Sequence, residues 1–212
     1  MNDTTLDLLV DEIPIMESFY TIQGEGCHVG KAAYFIRTGG CDVGCHWCDV
    51  KASWEAKNHP IFSVDHLVEM AKEHPAEIVV ITGGEPLMYD LFQLTQQLKA
   101  ANKNTHIETS GVYPLTGDWD WICFSPKKFK KPREVFYEQS DELKLVIYHK
   151  SDFKWAIEHS KKMNSKAKWL LQPEWSRQEE LLPLIIAFVK EHPRWSISLQ
   201  THKFMNLSLI HI

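Results

Sequence analysis

Three cysteines within eight residues constrain this chain more than any other feature. Cys41, Cys45 and Cys48 are separated by three and then two residues, and they follow the apolar run 32–36. Thiolates this close repel one another unless a cation gathers them, and a soft metal centre is the usual cation. A zinc loop or a partial disulfide is the alternative, but zinc sites usually add a second Cys-x-x-Cys or a His pair. The spacing therefore favours an iron–sulfur cluster.

The fourth ligand of that cluster decides what it can do. Iron–sulfur clusters usually take four protein ligands, and Cys27 and Cys123 stand alone elsewhere in the sequence. Either one would complete the coordination and give an electron-transfer centre, as in a ferredoxin-like carrier. With neither, one iron stays open to a small molecule and the centre becomes a site of chemistry. The spacing alone leaves both alternatives open.

Composition and charge exclude several functions. A net charge of −5 argues against a dedicated nucleic-acid partner. No apolar run reaches membrane-spanning length, and the acidic segment 1–12 does not resemble a signal peptide. Five cysteines, three of them clustered, are typical of a reducing compartment. We expect a cytoplasmic protein without nucleic-acid or membrane partners, in which residues 1–212 form a single domain.

Short apolar runs alternate with helical patterns along the chain. Continuously apolar, β-branched runs are typical of buried parallel strands, and they predict strands at 33–37, 78–81, 106–107, 121–124, 143–147, 169–171 and 197–199. Helices are predicted around 91–98, over 64–72 and 153–162 with Ser63 and Asp152 as N-caps, and finally over 181–189. This alternation predicts an α/β fold with a parallel sheet. Because a full eight-fold barrel usually needs about 250 residues, we expect an incomplete (β/α) barrel.

Polar clusters follow nearly every predicted strand. The carboxyl ends of parallel strands meet at one edge, where α/β proteins build their sites, so we expect one shared pocket. In Thr-Gly-Gly-Glu-Pro at 82–86, adjacent glycines let the backbone approach a ligand, and Glu85 offers a carboxylate to an ammonium group. Arg37, at the end of the first predicted strand, suits a substrate carboxylate. The alternative for the 82–86 segment is a plain turn, and the alternative for Arg37 is a surface salt bridge.

These segments together resemble the radical S-adenosylmethionine (SAM) superfamily, whose hallmark is Cys-x3-Cys-x2-Cys. The chain is most similar to the branch that converts 6-carboxy-5,6,7,8-tetrahydropterin into 7-carboxy-7-deazaguanine, with loss of ammonia, in queuosine and 7-deazapurine biosynthesis. The similarity runs from Ser18 to Lys203 and includes the Gln-Gly-Glu-Gly turn at 23–26 and Gln-Thr-His-Lys at 200–203. It implies a carbon–nitrogen lyase with a 4Fe-4S cluster, SAM as radical source, an electron donor such as flavodoxin, and a homodimer. An enzyme that activates a glycyl-radical partner is the alternative within the superfamily.

The resemblance also implies roles for individual residues. Cys41, Cys45 and Cys48 hold the cluster, and no side chain is required as a catalytic radical or general acid. The residues implied to contact SAM are Trp47, Asp49, Gly84, Glu85, Ser125, Lys127 and Gln172. Those implied to face the pterin are Ile22, Gln23, Gly24, Glu25, Arg37, Thr82 and His202.

Two features depart from the pattern of that branch. Val50 stands where Ser or Thr commonly serves as a magnesium ligand beside the substrate. A valine side chain has no oxygen for a hard cation, so we expect a weak or absent Mg²⁺ requirement. The segment 207–212 extends past the usual end of the branch, whose terminal carboxylate can reach the substrate in relatives.

Overall fold

A nine-stranded sheet organises residues 11–207, the part of the chain that the computed structural model describes. Its strands are β1 (Glu12–Ile22), β2 (Ala32–Thr38), β3 (Ile61–Ser63), β4 (Ile78–Gly83), β5 (Asn104–Thr109), β6 (Trp121–Phe124), β7 (Glu142–Ile147), β8 (Lys168–Pro173) and β9 (Trp195–Ile197). Their order is β3-β1-β2-β4-β5-β6-β7-β8-β9, with β3 and β9 as open edges. β1 is antiparallel to β2 and β3, whereas neighbours from β2 to β9 are parallel. The predicted incomplete (β/α) barrel is confirmed.

Six helices connect or follow these strands. They are α1 (Val64–Lys72), α2 (Phe92–Ala100), α3 (Val135–Gln139), α4 (Asp152–Ser160), α5 (Gln178–Glu191) and α6 (Thr201–Phe204). Ser63 caps α1 as predicted, because its hydroxyl accepts a hydrogen bond from the backbone N–H of His66. Within residues 11–207, no helix has both the length and the apolar character needed to cross a bilayer.

Six of the seven predicted strands lie inside observed strands, and the last is shifted, because β9 spans Trp195–Ile197 and not 197–199. The N-cap prediction for Asp152 is wrong. The helix already includes Asp152, whose carboxylate accepts hydrogen bonds from the backbone N–H groups of Tyr148 and His149 at 2.8 Å. The helix over 181–189 is longer than predicted and is followed by α6, so it is not the last one.

Strand periodicity divides the sheet into two unlike faces. Alternate residues point to the outer face, where a large apolar core lies against the helices. Members of that core on the strands and helices include Ile36, Ile81, Leu94, Leu98, Ile107, Phe124, Leu143, Leu145 and Leu171. The intervening positions on β2, β5 and β7 carry Arg37, Glu108 and Lys144, which line a cavity on the inner face. The curled sheet therefore buries charged side chains on its concave side.

Leu98 provides a test of the outer core. It is fully buried in α2, and we expect Leu98→Ala to lower the free energy of unfolding by about 2–5 kcal/mol, because truncation leaves a cavity that neighbours fill only in part. Phe92, in the same helix, is 50% exposed, so Phe92→Ala is the matched control and should cost much less. Urea denaturation followed by circular dichroism measures both, and equal losses would contradict the packing of α2 on the sheet.

Candidate active site

The cysteine loop leaves the carboxyl end of β2 and lies over the edge of the sheet. Gly40 and Gly44 have φ values of 100° and 74°, a left-handed conformation that glycine adopts without steric cost. The loop is held by its backbone, because Gly40 N–H donates to the carbonyl of Ser53 at 2.6 Å and Cys41 N–H to that of Trp54 at 3.0 Å. Cys41, Cys45 and Cys48 all line one cavity.

The turn after β4 packs directly against this loop. Gly84 N–H donates to the carbonyl of Thr38 at 3.0 Å, and Glu85 N–H donates to that of Gly40 at 2.9 Å. A Cβ atom on Gly84 would lie 2.0 Å from the carbonyl oxygen of Gly40 and 2.9 Å from Cβ of Cys41. Only glycine therefore permits the two backbones to support each other here.

Glu85 has a second role that its motif did not indicate. Its side chain is 1% exposed and lines the cavity. The carboxylate accepts hydrogen bonds from Thr109 Oγ1 at 2.5 Å, and from the backbone N–H and hydroxyl of Ser110 at 2.8 and 2.5 Å. It thus ties the turn after β4 to the turn after β5. An ammonium group that binds Glu85 would meet a carboxylate whose orientation these three hydrogen bonds already fix.

The thiols occupy an environment that suits a cationic cluster. Burial raises the pKa of the Cys45 thiol to about 11, and Cys48 and Cys41 add to this while Lys127 opposes it. Burial likewise raises the pKa of Cys41. Thiolates here need nearby positive charge, which the irons of a cluster supply. Across residues 11–207, no three His, Cys, Asp or Glu side chains are gathered as ligands of a single metal ion; thiols that bind separate irons need not be that close.

Neither of the two other cysteines lines the cavity. Cys123 is buried in β6, where its thiol donates to Glu142 Oε1 at 3.4 Å. The backbone N–H of Cys27 donates to Glu142 Oε2 at 2.9 Å. Both therefore meet at the amino end of β7, whereas the cysteine loop lies at the carboxyl edge of the sheet. This placement favours the alternative in which one iron has no cysteine as fourth ligand.

One open cavity, of about 1290 Å³ including the space at its mouth, collects nearly all of the predicted site residues. Those implied for SAM all line it: Trp47, Asp49, Gly84, Glu85, Ser125, Lys127 and Gln172. Of those implied for the pterin, Gln23, Glu25, Arg37, Thr82 and His202 line it, and Ile22 and Gly24 do not. Gly24 instead lies against His202, since a Cβ there would be 2.2 Å from the imidazole Nδ1.

Arg37 combines an ion pair with a place in the cavity wall. It is buried, and its Nε donates to Glu17 Oε1 at 2.7 Å across the β1–β2 pair. Arg37 thus forms a salt bridge, as the alternative proposed. The alternative placed this salt bridge on the surface, whereas the structure buries it. In the described part of the chain only Glu17 pairs with Arg37. Its terminal guanidinium nitrogens remain for a ligand carboxylate.

His202 is the second group with unused hydrogen-bonding capacity. It is 2% exposed and lines the cavity, and neither ring nitrogen has a hydrogen-bond partner among the described residues. Burial lowers its pKa, with Glu25 opposing the shift. A buried polar group without a partner is costly, so an imidazole in this position suits a bound polar ligand.

Glu108 and Lys144 line the cavity but were not predicted from the sequence. Lys144 Nζ lies 2.7 Å from Glu25 Oε2 and 3.5 Å from Glu108 Oε2. Gln200 Nε2 donates to Glu25 Oε1 at 2.8 Å, and Gln23 Nε2 to Glu108 Oε1 at 3.1 Å. The one available signal was alternation: Glu142 and Lys144 alternate with Leu143, Leu145 and Ile147 along β7. We call Glu25, Glu108 and Lys144 the charged triad.

Glu25 and Lys144 stay ionised in this cavity. Burial opposes ionisation of Glu25, but Lys144, Gln200 and His202 together outweigh it and hold the pKa of Glu25 at about 2. Burial also opposes the charged form of Lys144, yet Glu108 and Glu25 outweigh it and raise its pKa well above the usual value. The cavity therefore contains both the three thiols and a buried network of charged side chains.

Comparison with known proteins agrees with this geometry. Residues 35–131 match the family model of the Radical SAM superfamily. An open parallel (β/α) sheet with a Cys-x3-Cys-x2-Cys loop at its carboxyl edge defines the class of the protein as a radical SAM enzyme.

Relatives of known name identify the family within the radical SAM class to which the chain belongs. The chain is 57% identical to the 7-carboxy-7-deazaguanine synthase of Flavobacterium psychrophilum over 92% of both chains. It is 45% identical to that of Synechocystis over 95% of this chain and 96% of the relative. The crystal structure of QueE from Escherichia coli superposes with a TM-score of 0.80 at 30% identity, covering 89% of this chain and 93% of that one. The chain belongs to the 7-carboxy-7-deazaguanine synthase family.

Gly84 tests the support of the cysteine loop. We expect Gly84→Ala to lose most of its iron and of the brown absorbance after anaerobic reconstitution, because the added methyl group would collide with the backbone of Gly40. Gly30→Ala is the control for backbone strain without a collision, since φ is 85° there but a Cβ meets nothing within 4 Å; it should keep the wild-type iron content. Iron analysis and absorbance spectroscopy measure both variants. A wild-type iron content in Gly84→Ala would show that the loop does not depend on this contact.

Proposed function

We propose that this protein converts 6-carboxy-5,6,7,8-tetrahydropterin into 7-carboxy-7-deazaguanine, with loss of ammonia, as a step of queuosine and 7-deazapurine biosynthesis. The observation that carries the proposal is one cavity that is lined by three thiols and by polar groups with unused hydrogen-bonding capacity, in a member of this family. When bound, a 4Fe-4S cluster and SAM supply a 5′-deoxyadenosyl radical for hydrogen abstraction. The chain itself binds, orients and shields the reactants.

At the rim, Cys41, Cys45 and Cys48 are proposed to hold the cluster and to leave one iron open for SAM. Lys127, Ser125 and Trp47 are proposed to contact SAM. They lie close together, because Lys127 Nζ donates to Ser125 Oγ at 2.7 Å and lies 6.0 Å from the centre of the Trp47 ring. Burial lowers the pKa of Lys127. The remaining residues proposed to contact SAM are Asp49, Gly84, Glu85 and Gln172.

Other side chains in the cavity match the functional groups of a carboxylated pterin. Arg37 offers guanidinium nitrogens to the carboxylate, and His202 lines the cavity with a ring that has no hydrogen-bond partner among the described residues. Glu25 accepts hydrogen bonds from N–H groups of the ring. Gln23 and Thr82 complete the proposed contacts, with Ile22 and Gly24 shaping the turn behind them. These groups suit a small carboxylated substrate better than the protein loop that a glycyl-radical activase would bind.

The partners and compartment are part of the proposal. We propose that a flavodoxin-type protein reduces the cluster and that the protein is a cytoplasmic homodimer without nucleic-acid or membrane partners. Membership of a radical SAM family supports the need for an electron donor. The net charge of −5 and the clustered cysteines support the compartment and the lack of a nucleic-acid partner.

Product analysis tests the reaction. We expect anaerobic incubation with reductant, SAM and 6-carboxy-5,6,7,8-tetrahydropterin to yield 7-carboxy-7-deazaguanine by mass spectrometry, because the residues proposed to bind each reactant line the same cavity. A variant with Cys41, Cys45 and Cys48 all changed to Ala is the control and should form neither this product nor 5′-deoxyadenosine. Wild-type protein that forms 5′-deoxyadenosine but no 7-carboxy-7-deazaguanine would contradict the proposed substrate.

Val50 generates a separate prediction. It lines the cavity, and its side chain offers no oxygen to Mg²⁺. We expect turnover to change little when Mg²⁺ is removed by a chelator and readded. Val50→Thr restores a hydroxyl and is the matched variant; its turnover should respond to Mg²⁺. A strict Mg²⁺ requirement in the wild type would contradict the prediction.

A further inference from the structure

The ammonium group of Lys144 lies between two carboxylates that come from different parts of the fold. Lys144 is on β7, Glu108 on β5, and Glu25 in the turn between β1 and β2. The Lys144 side chain is 5% exposed, so these carboxylates replace the water that an ammonium group normally binds. No role in holding the cluster or SAM requires this lysine.

We propose that Lys144 is a positioning residue for the substrate: its ammonium group holds the Glu25 and Glu108 carboxylates close together, so that both accept hydrogen bonds from neighbouring N–H groups of the pterin. This inference rests on the proposed function. It adds a specificity role for a residue that itself need not touch the substrate.

The hydrogen-bond inventory of the two carboxylates supports the proposal. An ionised carboxylate has about four acceptor positions. Glu25 uses one on each oxygen, from Gln200 Nε2 at 2.8 Å and Lys144 Nζ at 2.7 Å. Glu108 accepts from Gln23 Nε2 at 3.1 Å and faces Lys144 at 3.5 Å. Both carboxylates line the cavity and keep acceptor positions for a ligand.

The aminopyrimidinone ring of a pterin has the complementary pattern. Its exocyclic amino group and the adjacent ring nitrogen present N–H donors side by side. Two carboxylates can both accept from that edge only if they stay close, and like charges in a buried site otherwise separate or take up a proton. Lys144 removes this repulsion, because its positive charge lies between them.

The charges around the triad determine the sign of the pH effect. The groups that interact electrostatically with Lys144 are Glu25, Cys27, Glu108, Cys123, Lys127, Glu142 and His202. Those around Glu25 are Lys144 and His202, with Lys203 and Asp49 beyond Gln200. With Lys144 present, the pKa of Glu25 is about 2, so Glu25 is ionised at any working pH. Without it, the charge and the hydrogen bond of Lys144 no longer oppose burial, so the pKa of Glu25 rises. Activity that needs the carboxylate is then lost as pH falls.

Lys144→Met is the central test. We expect kcat/KM for the pterin to fall roughly 100-fold, mainly through KM, since removing one member of a buried charge pair weakens recognition. The pH profile of kcat/KM should gain an acidic limb that is absent from the wild type, with activity rising as pH increases. Cluster absorbance and the slow formation of 5′-deoxyadenosine without pterin should persist.

Two further variants separate positioning from general stability. Lys144→Arg keeps the charge, so its profile should lack the acidic limb even where KM rises. Lys99→Met is the matched control, because Lys99 Nζ also pairs with two carboxylates, Asp118 at 2.7 Å and Asp120 at 3.1 Å, outside the cavity. It should leave KM and the pH profile as in the wild type.

The outcomes distinguish this inference from the proposed function. If the wild type forms no 7-carboxy-7-deazaguanine, the proposed function itself fails. If the wild type forms it, and Lys144→Met keeps the wild-type KM and a profile without an acidic limb, only the role of Lys144 is overturned. If circular dichroism shows that Lys144→Met does not fold, Lys144→Gln replaces it, and an unchanged profile in that variant overturns the inference.

Discussion

The backbone contact between the cysteine loop and the turn after β4 is the constraint on which the site depends. Gly84 approaches Gly40 so closely that no side chain fits between them. Glu85 extends the contact to Ser110 after β5. Three neighbouring turns are thereby locked into one unit at the carboxyl edge of the sheet. The thiols face the cavity because this unit fixes the backbone that carries them.

The polar turn at 23–26 covers the gap that the incomplete barrel leaves open. The segment 23–26 follows β1 and reaches across to the last elements of the fold. Gly26 N–H donates to Ser198 Oγ at 3.0 Å, and Thr201 N–H donates to the carbonyl of Gly24 at 2.9 Å. Glu25 continues this contact into the charged triad. An incomplete barrel can therefore shield radical chemistry from water without an eighth strand–helix unit.

Much of this arrangement follows from the sequence, because its signals are local. Apolar β-branched runs predict most of the parallel strands, and their shared carboxyl edge predicts that the motifs converge. β1 was missed because Glu12, Glu17 and Ser18 interrupt its apolar residues and a bulge lies between Ile15 and Glu17. Short elements such as β3 and α6 lack the length that gives a periodic signal.

Glu108 and Lys144, the other two members of the charged triad, could not be predicted for a different reason. Glu142 and Lys144 alternate with apolar residues, which is also the pattern of a strand with one face in water. Only the curvature of the sheet, together with the turn that bears Glu25, turns that face into a buried site. Arg37 was predicted as a ligand for a carboxylate, but its buried partner Glu17 lies on the strand that was missed.

The central claim is that three protein thiols leave one iron of the cluster open to SAM at the rim of this cavity. Electron–nuclear double resonance on the reduced, anaerobically reconstituted protein measures this directly when SAM carries magnetic isotopes in its amino and carboxylate groups. The account predicts that both labelled groups couple to the cluster spin. A spectrum that SAM leaves unchanged, or a cluster with a fourth ligand from the protein, would contradict it.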